Sequence, residues 1–94
     1  MTREDFSAYL RTAHRNLACR LPGLKRYVQN HVAEDTTRQP PAWDAAVELY
    51  WESWEAMEAA WASPEGAAAT KDLEAFADLS RSSWSIVEEV VGFE

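Results

Sequence analysis

The chain has 94 residues, 47% of them apolar, with 16 acidic against 9 basic side chains and a net charge of −7. That length sets one domain, residues 1–94, with a modest core that dimerisation commonly supplements, and the acidic balance disfavours nucleic acid and anionic membranes. A single cysteine, Cys19, excludes an internal disulfide; with an MTRED start lacking a signal-like run, and no apolar stretch near the ~20 residues that span a bilayer, a cytoplasmic location is expected.

The spacing predicts a helix from the first residues. Thr2 is placed to accept from the Asp5 backbone and Asp5 to reach back, a capping box with acids in the first turn. Phe6, Leu10, Ala13, Leu17 and Leu21 recur at helical steps, and Pro22-Gly23 ends the run. Leu24 to Val32 reads as a strand carrying Tyr27, Val28 and Val32. The polar stretch from Ala33 to Trp43, with Pro40-Pro41, reads as a long hairpin loop, either a solvated connection or a cover over one mouth of a cavity.

Ala45 to Glu52 alternates, with Val47, Leu49 and Trp51 on one face and Ala46, Glu48 and Tyr50 on the other. Bulk on both faces suits a sheet covered on both sides. Ser53 caps a second helix whose Trp54, Met57 and Trp61 form an aromatic stripe, expected in the core. Ser63-Pro64 breaks that helix and caps its continuation, which turns Leu73 and Phe76 inward. Trp84 to Val91 alternates again and predicts a final strand, in which Glu88 and Glu89 point to opposite faces. One of that pair is an inner-face carboxylate, or both serve to discourage edge aggregation.

Among titratable groups, His14 lies between Leu10 and Leu17 on the shoulder of the first helix's stripe, where a half-buried ring can be tuned. Two readings stay open, a core-edge histidine bonded to a carbonyl and a general acid or base. Glu48 is either an inner-face carboxylate partnered by His14, His31 or Tyr27, or a strand-end residue reaching water. No glycine-rich phosphate loop, HExxH, paired cysteines or Gly-x-Ser-x-Gly elbow is present, and the spacing from His14 to His31 fits no ligand motif. Neither a metal nor a cofactor is expected.

The run REDFSAYLRTAHRNLACRLPGLKRYVQNHV, followed by WDAAVELYWESWEAMEAAWASPEG and SWSIVEEVV, resembles the EthD family of small dimeric α/β-barrel proteins. The resemblance implies an α+β fold, a ferredoxin-like β-α-β-β-α-β protomer, two copies of which set their sheets face to face around a cavity in each. It also implies an apolar strand before the first helix. Thr2 already caps that helix here, so the expectation is that a longer gene product supplies the strand, or that Trp84–Val91 or another chain fills the gap. Inner-face Tyr27, His31 and Tyr50 would then be covered by a second protomer, a homodimer.

Characterised relatives include a cofactor-free lactone isomerase, whose helix-one histidine and strand-two tyrosine match His14 and Tyr27, and proteins linked to aromatic polyketide tailoring or ether degradation. The reaction does not follow from the fold. The resemblance thus implies a small-molecule cavity protein, either a cofactor-independent isomerase, cyclase or monooxygenase or a non-catalytic binding or accessory protein for a neighbouring oxidoreductase. In the first case His14 is acid or base, Tyr27 orients or protonates an oxygen, Glu48 or His31 assists, and Tyr50, Gln29 and Trp84 contact a hydrophobic or aromatic substrate.

Overall fold

The computed structural model describes residues 1–33 and 43–94. Its first helix starts at the expected cap: Thr2 Oγ1 accepts from the Asp5 backbone N–H at 3.1 Å. Two α segments, α1 (Arg3–Tyr9) and α2 (Arg15–Ala18), flank a π turn over Leu10–His14. Hydrogen bonds in a π turn reach five residues along, so one extra residue is accommodated and the helix face rotates by one position. The predicted stripe is corrected accordingly. Ala13 is exposed, whereas Leu10, His14, Ala18 and Leu21 are buried, with His14 only 6% exposed.

The helix ends in a turn where Gly23 takes φ +71°, a left-handed backbone that glycine adopts without a Cβ penalty. Trp51 Nε1 donates to the Pro22 carbonyl at 3.0 Å and ties this turn to the end of the sheet. The sheet is an antiparallel pair, β1 (Arg26–His31) and β2 (Ala45–Tyr50). Tyr27, Gln29 and His31 share one face with Leu49, Val47 and Ala45, while Arg26, Val28 and Asn30 share the other with Tyr50, Glu48 and Ala46. The first face meets the first helix, because Gln29 Nε2 donates to the Leu10 carbonyl at 2.8 Å. Tyr27 and His31 therefore do not share an inner face with Tyr50, which corrects that expectation. The hairpin loop predicted around Pro40-Pro41 lies outside the described residues.

After the sheet, Ser53 caps α3 (Trp54–Ala62) by accepting from Ala56 N at 3.1 Å, and Ser63 caps α4 (Pro64–Phe76) by accepting from Gly66 N at 3.1 Å. The break between them falls at Ser63-Pro64 as the sequence predicts. Small residues carry the helix contacts: Ala60 and Ala69 are 0% and 1% exposed. Trp54 and Trp61 stay 54% and 37% exposed, so the expected aromatic core stripe is corrected too. Trp61 packs instead on Trp51, with ring centroids 5.9 Å apart.

A 3₁₀ turn at Leu79–Arg81, capped by Asp78, leads into residues 82–94, which form no strand. The predicted final strand at Trp84–Val91 is thereby corrected. Alternation supplies a strand pattern, but a strand needs a ladder partner for its backbone groups. Among the described residues the tail is tied by Ser82 Oγ, which donates to the Asp78 carbonyl at 2.7 Å, and by Glu89 Oε2, which accepts from the Tyr50 hydroxyl at 2.6 Å, while Trp84, Val87 and Val90 stay exposed.

Candidate functional site

The buried histidine marks the site. Asp72 sits in α4 three residues after Ala69 and four before Phe76, on the side of the helix that packs inward. Its carboxylate faces α1 and the π turn: Oδ2 lies 2.8 Å from His14 Nδ1, and Oδ1 accepts the Tyr9 hydroxyl at 2.6 Å. Both members of the His14–Asp72 pair are nearly buried, with side chains 8% and 12% exposed. Phe76 packs against His14 and Tyr9, with ring centroids 5.0 and 4.7 Å away.

Since a carboxylate accepts, Nδ1 of His14 carries the shared proton, and Nε2 has no hydrogen-bond partner among the described residues. The hydrogen bond to Asp72, with burial and the carboxylate charge, raises the Tyr9 pKa, so the phenol stays a donor. Beside the pair lies a shallow, open cleft of ≈ 300 Å³ lined by Leu17, Ala68, Lys71, Asp72 and Ala75. Asp72 thus belongs both to the buried pair and to the cleft wall.

Tyr27, Gln29 and His31 enter a second network, between β1 and the first helix. Gln29 Nε2 donates to the Leu10 carbonyl and to Tyr27 Oη, and Gln29 Oε1 lies 2.7 Å from His31 Nε2. His31 Nδ1 lies 2.7 Å from Ser7 Oγ, which also accepts from Arg11 Nε at 3.2 Å. Burial, followed by the Arg11 charge, lowers the His31 pKa, and burial raises that of Tyr27.

Glu48 and Tyr50 lie on the opposite sheet face. Glu48 accepts from Asn30 Nδ2 and from the Tyr50 hydroxyl, each at 2.9 Å, and these bonds lower its pKa. Tyr50 faces Glu89 as well as Glu48, and the two carboxylates push its pKa up to about 12. Its single proton serves only one of them at a time.

His14, the pair Tyr27 and His31, and Glu48 thus fall in three separate networks. Glu48 is partnered by Asn30 and Tyr50, not by a histidine or Tyr27. Gln29 has its amide engaged within the fold, and Trp84 stands 73% exposed on the tail. Sequence reasoning missed Asp72, Tyr9 and Ser7. A signal for Asp72 was present: a carboxylate between Ala69 and Phe76 on an inward stripe requires a partner.

Among the described residues no three His, Cys, Asp or Glu side chains converge to hold a metal ion. No described helix is long and apolar enough to cross a membrane.

The fold resembles a crystal structure of an ethyl tert-butyl ether d (EthD) family protein from Bacillus halodurans C-125, with a TM-score of 0.70 and 21% identity over 80% of this chain and 74% of that one. That likeness is consistent with a ferredoxin-like arrangement of the α+β fold. No protein of curated function matches the chain. The model of the EthD domain matches residues 1–80, which include every member of the Tyr9–Asp72–His14 cluster, and the chain belongs to the EthD domain family.

Proposed function

We propose that the protein carries out cofactor-independent proton transfer on an aromatic, polyketide-like or lactone compound, with His14 as its acid–base group. The observation that carries this reading is the buried His14 held through Nδ1 by Asp72 at 2.8 Å. Orientation by a carboxylate fixes the tautomer and leaves Nε2 as the basic nitrogen. Nε2 takes a proton from an acidic carbon of the substrate, Asp72 stabilises the imidazolium, and the proton returns to another carbon or oxygen of the same molecule. Tyr27, His31 and Glu48 belong to the other networks and lie outside this acid–base pair.

A second reading rests on the open cleft beside the pair. Leu17, Ala68 and Ala75 make most of its lining apolar, which suits a protein that holds a hydrophobic ligand without transforming it. In either case the working form is proposed to be a homodimer.

Deuterium incorporation from D₂O into lactones and 1,3-dicarbonyl aromatics, followed by NMR, separates the two. Proton transfer predicts exchange catalysed by the wild type and reduced ~100-fold in His14→Gln. Binding without exchange, equal in both proteins, supports the second reading.

A further inference from the structure

The second network fixes its own proton positions. The Leu10 carbonyl is only an acceptor, so the Gln29 nitrogen that approaches it at 2.8 Å must be the NH₂ group. The amide oxygen then faces His31 Nε2 at 2.7 Å and accepts from it, so Nε2 carries the imidazole proton. His31 Nδ1 is left with a lone pair 2.7 Å from Ser7 Oγ, and Ser7 donates its hydroxyl proton there. Arg11 Nε, 3.2 Å from the same oxygen, adds positive charge where an alkoxide forms. Every member is a side chain of α1, the π turn or β1, and the backbone carbonyl of Leu10 sets the sequence of donors.

A hydroxyl, a base within hydrogen-bond reach and a third group that orients the base are the parts of an activated nucleophile. We propose that Ser7, His31 and Gln29 form a nucleophilic site for acyl transfer from small activated esters, independent of the His14 reading. Ser7 Oγ attacks the ester carbonyl carbon while its proton passes to His31 Nδ1. The bond from the acyl carbon to the leaving oxygen breaks, and His31 returns the proton to that oxygen, releasing the alcohol. Water then attacks the Ser7 ester with His31 again taking a proton, the Ser7 oxygen recovers it, and the carboxylic acid departs. Arg11 touches the reacting oxygen and stabilises negative charge; Gln29 is a positioning residue, acting through His31.

The site is half-buried, so the fitting substrate is compact. The lowered His31 pKa is in keeping with a base that is neutral near pH 7.

The test uses the full chain, p-nitrophenyl acetate as ester and an alkyl fluorophosphonate as covalent probe, with the adduct located by peptide mass mapping. The expected result is one phosphonyl group on Ser7 and hydrolysis that falls ~100-fold in Ser7→Ala and in His31→Ala. Alanine suits a helix interior, and circular dichroism of Ser7→Ala verifies its fold. Free imidazole should restore part of the His31→Ala rate, which a structural role for His31 would not produce. Gln29→Leu should shift the pH profile of hydrolysis while Ser7 remains labelled at saturating probe. Wild-type protein that takes no label, or label undiminished in Ser7→Ala, overturns the proposal.

Discussion

Asp72 Oδ2 and His14 Nδ1 lie 2.8 Å apart although 58 residues separate them, and this contact joins α4 to the π turn. The π turn makes it possible, since the extra residue in that turn brings His14, and not Ala13, onto the buried face. Local helix geometry and the site are thus one feature.

Removing the carboxylate tests that link. Asp72→Ala leaves the Tyr9 hydroxyl and His14 Nδ1 without their shared acceptor, and the loss should cost about 1–3 kcal/mol. Asp72→Asn keeps an oxygen acceptor and should cost less. Urea denaturation with comparison of midpoints is the measurement, and an unchanged midpoint in Asp72→Ala would remove Asp72 from the fold's supports.

The joint between α3 and α4 is equally exposed to test. A Cβ at Gly66 would collide with the backbone carbonyls of Trp61 and Ala60, which sit directly against it. Backbone cannot yield as a flexible side chain does, so Gly66→Ala should destabilise by about 1–3 kcal/mol despite alanine's better helix propensity. Thermal melting should show a lowered Tm. A rise would mean that the helices separate freely at Ser63-Pro64.

For the Ser7 site the pH dependence has a definite sign. Burial and then the Arg11 charge hold His31 below its ordinary 6.5, and the neutral ring is the base. Ester cleavage should therefore rise with pH through a midpoint below 6.5 and level off above it. The same shift acts on stability, because the unfolded chain takes the proton more readily than the folded one. That contribution is fully present above 6.5 and is lost as pH falls through the lower folded value. Rate and stability profiles measured from pH 5 to 8 check both statements.

Much of the fold was legible in the chain because its signals are local. Thr2, Ser53 and Ser63 are capping residues by chemistry, and Gly23 ends a helix because its backbone must turn left-handed. The faces of β2 follow from a period of two. The tail was misread since Trp84 to Val91 has a strand's alternation, while pairing depends on what lies beside it. His14 is legible as a candidate and Asp72 as an inward carboxylate in need of a partner, but their pairing is not, because neither a π turn nor a contact across 58 residues leaves a periodic trace.

The tail carries the prediction of assembly. Ile86, Val87 and Val90 are 62%, 80% and 85% exposed, an apolar surface unusual for a monomer. Light scattering at micromolar concentration should give a dimer, and Ile86→Glu with Val90→Glu should shift it to monomer. A wild-type monomer under these conditions would contradict the homodimer.

The acid–base role proposed for His14 depends on where its ring proton sits, and ¹⁵N NMR of the imidazole reads that directly. With Nδ1 held by Asp72, wild-type His14 should show the Nδ1–H tautomer in its neutral form, with an unprotonated Nε2, and Asp72→Ala should collapse that preference towards the mixture of a free imidazole. A wild-type His14 protonated on Nε2, or a tautomer ratio indifferent to Asp72, would contradict the assignment of His14 as an oriented acid–base group.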